Sequence, residues 1–322
     1  MVPLLLLMKA QHHVRNLTLS RYPMNTPALL LALALAAQSA CALTNTLTIT
    51  NTTYLDSRVS NQTLNYGHAH TVKALINNNV TSDGSMCRGL IQLPAQIWAY
   101  PPEQILSATV VFYVWQDNSG TRNVTLYPLT QTFVQGTGTG TAPADGATWL
   151  TYDGINPWTN PGGDFDSANP VVGVKGDILD PDLNDRFFYW DITPLLKNTS
   201  RTELQSYGAI LRMDETPVPT TGSPRAPFTS SYDPSYTPPY WPSLQFTIAP
   251  TLAGVLVLGG AISFTISNLT LGATNTIERS LNLATNDWAA VSSFVATSTS
   301  TNWSETLQPG WTKAFYRLQT QQ

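Results

Sequence analysis

The sequence predicts an all-β fold, a jelly-roll-like antiparallel β-sandwich followed by a small second β domain. Three observations carry this. Runs of four to eleven residues that alternate apolar with polar, or are apolar throughout, recur along the chain with Gly, Pro, Asn or Asp between them. Charged residues are only 11% against 42% hydrophobic, with Thr, Ser, Asn, Gly and Pro abundant, where helical proteins use more Lys and Glu. No long stretch with a 3.6-residue apolar period competes.

Taken in order, the 322 residues open with an N-terminal extension and signal peptide over 1–42. From Met24, itself an alternative start, "MNTPALLLALALAAQSACALT" holds an apolar run ending in Ala40-Cys41-Ala42. That small-x-small pattern predicts cleavage after Ala42 and a mature start at Leu43. Lys9, Arg15 and Arg21 supply the positive charge ahead of the run. Pro27 to Ala37 falls short of the roughly 20 apolar residues that a membrane span needs.

Residues 43–248 contain eight strand-like segments: "TNTLTIT", "HTVKALI", "CRGLIQL", "ILSATVVFYVW", "RNVTLYPL", "RFFYWDI", "YGAILRM" and "PSLQFTI". Strands so short and so spaced pack as two sheets face to face. One short helix is predicted at "ITPLLKNTSR", where Thr193 and Pro194 read as a helix start. Residues 249–261, "APTLAGVLVLGGA", read as a Gly-rich apolar linker. Residues 262–322 follow with five further strands in a unit small enough to need a neighbour or partner.

Charge narrows the partners. The leader carries three of the 16 cations and none of the 20 acids, so its removal leaves a net charge of −7. A dispersed acidic surface argues against nucleic acid and against an anionic membrane. Cleavage also removes Cys41, leaving Cys87 alone and reading as a buried structural thiol, with no internal disulfide available. His68 and His70, at i and i+2 of a strand, share a side, but no third metal ligand stands near them.

A series of short motifs resembles the DNRLRE domain, carbohydrate-binding module family 96, over about Leu47 to Ile248. They run Asn65-Tyr66-Gly67, Arg88-Gly89-Leu90-Ile91, Ser107-Ala108-Thr109-Val110-Val111-Phe112 and Val124-Thr125-Leu126-Tyr127. Trp158 with Pro161-Gly162-Gly163-Asp164-Phe165, Trp190-Asp191-Ile192-Thr193, Tyr207-Gly208-Ala209-Ile210-Leu211 and Pro242-Ser243-Leu244 complete the order. Gln92 and "TFVQGTG", with Phe133 and Gln135, depart from the family pattern. The tail, ending Phe315-Tyr316-Arg317-Leu318, resembles small C-terminal units of secreted Verrucomicrobia-type proteins. The resemblance implies a secreted bacterial β-sandwich that binds an extracellular polysaccharide without cleaving it.

Three sets of residues invite functional readings. "WLTYDGINPWTNPGGDFD" brings Asp153, Asp164 and Asp166 together, and glycoside hydrolysis needs two carboxylates at a defined spacing. Asp and Gly are equally the residues of tight turns, and the turn reading is preferred. Asp56, Asn61 and Asn65 are the candidate ligands of a structural calcium ion. Sugar rings stack on aromatic faces, which singles out the loop residues Trp149, Tyr152, Trp158, Tyr232, Tyr236 and Tyr240, the last three in a loop stiffened by proline. Trp98 and Tyr100 beside Pro101-Pro102 are further loop aromatics. A polysaccharide, acidic polymers included, is the expected ligand. A structural or adhesive surface protein without a sugar site, and less favourably a lyase or hydrolase, stay open. Two or more exposed aromatics lining one groove would favour the binder, and burial of nearly all of them the structural role.

Overall fold

The computed structural model describes residues 30–33, 43–76, 86–140, 145–216, 224–282, 287–311 and 313–321. The expected cleavage point at Ala40–Ala42, Cys41 and the rest of the leader lie outside them, apart from Leu30–Leu33. The chain is all-β, 47% strand and 8% helix, with antiparallel multi-stranded sheets in a sandwich-like arrangement and two smaller sheets beyond it.

The larger unit is one hydrogen-bonded network. It runs from Leu43–Thr48 through Ser243–Ile248, Ile105–Val114, Arg225–Thr229, Thr71–Ile76, Met86–Ile91 and Ala209–Met213 to Val124–Pro128 and Val171–Val172. Asp185–Asp191 also pairs with Ile105–Val114, and Thr52–Asp56 with Met86–Ile91. The network packs on a main core, in which Ile49, Val72, Phe112, Leu126, Trp190, Leu211, Phe228 and Phe246 fall in one cluster. Alternation fills it: Phe188 and Trp190 of Asp185–Asp191 are fully buried, while Phe187 and Tyr189 point outward. Trp190 enters the core because its indole N–H donates to the Val124 carbonyl at 2.9 Å. Each large apolar side chain buried there contributes about 1.5–3 kcal/mol.

The predicted helix is present as Thr193–Lys197 followed by Ser200–Tyr207, and Leu195, Leu196 and Leu204 close one end of the core. Thr193 does not cap it. The residue lies inside the first turn and its backbone N–H donates to the Asp191 carboxylate at 3.0 Å.

Two strands of the larger unit are apolar on both faces, and this positions the site. In Met86–Ile91 and Ala209–Met213, Ile91, Ala209 and Leu211 face the main core, while Leu90 and Ile210 face the opposite way. A second cluster of Leu55, Leu129, Phe133, Trp149 and Trp158 covers that back face. Residues 129–140 and 145–167, without regular strands, are the cover.

The smaller unit packs a three-stranded sheet, Thr251–Leu258, Ala261–Ser267 and Ser300–Thr306, against a four-stranded one, Leu30–Leu33, Lys313–Gln321, Thr274–Ser280 and Ala289–Val295. Here 249–261 departs from expectation. It is a strand and hairpin of the unit, not a linker: Thr251–Leu258 pairs antiparallel with Ala261–Ser267 across Gly259-Gly260. Both glycines have positive φ, which an L side chain rarely adopts. Among the described residues, no helix is long and apolar enough to cross a membrane.

Candidate functional site

The back-face cover brings two arginines together. Arg88 and Arg212 share the face of Leu90 and Ile210, and the register that sets Ile210 opposite Leu90 carries Arg212 towards Arg88. Like charges so placed on adjacent strands repel. Glu215 resolves this by accepting from both. Arg88 Nε and Nη2 donate to Oε1 and Oε2 at 2.7 and 2.9 Å, while Arg212 Nε donates to Oε1 at 3.2 Å and Nη2 to Oε2. Burial opposes ionisation of Glu215, but the hydrogen bonds from Arg88 and Arg212 outweigh it and hold the carboxyl below its ordinary value.

Aromatic rings and a glycine turn complete the clasp. Arg88 lies 4.9 Å from the Trp149 ring centroid and Arg212 lies 4.4 Å from that of Phe165, both within cation–π range. Arg88 Nη1 donates to the Gly162 carbonyl at 2.8 Å. Gly162 has φ +91°, and a Cβ there would stand 2.6 Å from Trp149 and 2.7 Å from the Arg88 guanidinium, so only glycine fits. A cleft of about 470 Å³ opens beside it, lined by Arg88, Arg212, Thr130, Asn160, Asp164 and Ser167. Among the described residues, the second amino group of Arg212 has no hydrogen-bond partner.

The three carboxylates of the sequence stretch are turn residues. Asp164 accepts from the Thr159 and Asn160 backbone N–H groups at 2.7 and 2.8 Å. Asp153 accepts from the backbone of Ile155 and Asn156, and Asp166 from that of Ala168. Asp153 and Asp166 close their loops in the manner of an Asx turn, and Asp164 ties the turn back to the residues before it. The Asn156 side chain and backbone hold the Asp153 carboxyl below its ordinary value, the reverse of the shift a general acid needs.

The aromatic candidates divide into two groups. Trp149 and Trp158 are 7% and 4% exposed, and the Trp158 indole N–H donates to the Thr148 carbonyl at 2.9 Å. Tyr152 packs edge-on to Trp158, its ring centroid 5.9 Å away. These three belong to the second core, so Trp149 and Trp158 cannot offer ring faces to a ligand. Trp98 and Tyr100 pack partly buried against the main core. By contrast, Tyr236 and Tyr240 gather at the surface with Phe187 and Tyr189, which the sequence reading passed over. Tyr240 and Phe187 lie 6.2 Å apart and within 6° of parallel, and Tyr236 is 5.9 Å from Tyr240. Tyr240 is 37% and Tyr189 36% exposed.

Buried neighbours fix this patch. Tyr113 contacts Tyr236, Tyr240 and Phe187, and its hydroxyl donates to Asp185 at 2.5 Å. Burial, then the Asp185 carboxylate, pushes that phenol upward and keeps it protonated as a donor. Tyr232 stands apart, stacked on His68 at 4.2 Å. The alternation in "RFFYWDI" was the available signal for Phe187 and Tyr189, since Phe188 and Trp190 must take the core side.

The proposed calcium ligands do not fit a cation. Both oxygens of Asp56 accept from Arg58, and Oδ2 also accepts from Asn61 Nδ2 at 2.9 Å, which puts a guanidinium where the ion would sit. Asn65 is spent elsewhere. Its oxygen accepts from the Gly67 and Gly138 N–H groups, and its amide donates to the Gln135 and Ala147 carbonyls. Among the described residues, no three His, Cys, Asp or Glu side chains cluster as metal ligands. Cys87 is buried as expected, and burial pushes its thiol far upward, so it holds its proton.

Compared with known families and curated proteins, the chain matches no family model and no curated relative.

Proposed function

We propose that this chain is a secreted, non-catalytic module that binds an extracellular polysaccharide through the ring patch of Phe187, Tyr189, Tyr236 and Tyr240. The observation that carries the reading is the convergence of these rings on one surface, fixed from beneath by Tyr113 and Asp185. Sugar rings present C–H faces that stack on such platforms, and a fixed platform loses little entropy on binding. Pro234, Pro238 and Pro239 stiffen the loop that supplies two of the rings. The resemblance to the DNRLRE domain and the leader ending at Ala40–Ala42 point the same way. The arginine cleft extends the reading to acidic polymers, because the Arg212 amino group that has no partner among the described residues suits a sugar carboxylate.

One observation favours the rival. Trp149 and Trp158 are buried, as a purely structural or adhesive module would have them. Affinity electrophoresis on alginate, pectin, fucoidan, xylan and cellulose, with and without calcium, separates the two readings. Saturable retardation by one polymer, weakened about tenfold in Tyr240→Ala, is the expected result. Binding to none selects the structural role, and binding indifferent to Tyr240→Ala and Tyr189→Ala removes the ring patch as the site.

A further inference from the structure

The last strand of the smaller unit changes character half-way along. Ala314, Phe315 and Tyr316 are 0%, 6% and 0% exposed, so both faces of this half are covered in the manner of a central strand. Arg317, Leu318 and Gln319 beyond them are only half-buried. On one edge the strand pairs along its length with Thr274–Ser280. On the other edge Leu30–Leu33 pairs in parallel with Lys313 to Tyr316 alone, placing Leu30 opposite Lys313, Leu31 opposite Ala314, Ala32 opposite Phe315 and Leu33 opposite Tyr316.

Those four residues fall inside the run that reads as a cleavable leader. Cleavage after Ala42 takes them away and leaves the main-chain groups of that edge of Ala314–Tyr316 without partners. Native edges are blunted by charge, proline or bulges. None stands between Ala314 and Tyr316; the charges lie at the two ends, Lys313 where the pairing starts and Arg317 next to where it stops. We infer that this edge is a strand-acceptor site, which in the processed chain takes an uncharged apolar segment of a partner polypeptide by β-augmentation. The chemistry of the occupant follows from the segment seated there: extended, parallel, free of charge and of proline. The site lies on a different sheet from the ring patch and does not depend on the glycan reading.

The test uses the exported protein. N-terminal sequencing is expected to begin at Leu43; retention of Leu30–Leu33 in the exported chain overturns the inference, because the edge is then never vacated. The exported chain is then titrated with a peptide of residues 27–37 carrying terminal lysines for solubility, and amide hydrogen exchange is followed. Saturable binding with about a tenfold rise in protection confined to Lys313–Arg317 is expected. A peptide with Leu31→Pro and Ala32→Pro lacks the N–H on whichever side faces the edge, and is expected not to bind. Absence of protection by the first peptide, or equal protection by both, overturns the site. Self-association of the exported chain through Lys313–Gln321 that the peptide does not displace overturns the choice of occupant in favour of a second copy.

Discussion

Residues 145–167 and 231–241 read alike in sequence, as turn-rich loops dense in aromatics, Asp and Pro, yet one closes inward and the other outward. The surface beneath each loop decides. Residues 145–167 lie over Leu90 and Ile210, apolar residues on the back of two strands, and Trp149 and Trp158 cover them. Residues 231–241 lie over Tyr113, whose hydroxyl is tied to Asp185, and their rings rest on its edge. Aromatic loops therefore become core or contact surface according to the polarity of the face that they meet.

The sharpest break of that contrast is Trp158→Ala. It deletes a buried ring together with its indole hydrogen bond, and chemical denaturation is expected to show a loss of about 3–5 kcal/mol. Glu215→Gln comes next, at about 2–4 kcal/mol, because two arginines on one face lose the charge between them. This effect depends on pH. The folded carboxyl lies below the unfolded one, so its contribution is complete above about pH 5 and lost as pH falls through the folded value. Wild-type stability should therefore fall on acidification more steeply than that of Glu215→Gln, and equal acid limbs would remove Glu215 from the account. Tyr240→Ala is expected to cost about 1 kcal/mol or less in stability while weakening polysaccharide binding about tenfold. The exposed Ile155→Thr, in the inward-closing loop, should change stability by no more than about 0.5 kcal/mol and leave binding intact.

Alternation announces strands whose two faces differ. Thr71–Ile76 and Val124–Pro128 alternate in burial as their patterns require. Thr52–Asp56 went unread because every residue in it is buried and no alternation exists to find. Arg225–Thr229 contains Pro227, which argues against a paired strand, yet it pairs with Thr71–Ile76. Val174–Asp180, with its Lys, Gly and two Asp, carries neither alternation nor an apolar run to mark it as a strand. Residues 249–261 were read as a linker because Gly and apolar residues together fit a hairpin as well as a connection. In the ring patch, Tyr236 and Tyr240 were visible from their proline-stiffened loop, whereas Phe187 and Tyr189 needed the strand's facing. Arg88 and Glu215 are far apart in sequence, and no local pattern reports a clasp that only the register creates.

The pairing of the larger unit's two ends also sets an order in time. Leu43 bonds opposite Ile248, and Ser243–Ile248 lies between Leu43–Thr48 and Ile105–Val114. The strand that joins these two is the last of the unit to be synthesised, so Leu43–Thr48 cannot join the sheet before Ile248 has emerged. Contacts this distant make for slow closure. The first strand of the larger unit therefore waits unpaired while the rest of that unit is synthesised, and is taken into the sheet only when the unit's last strand arrives.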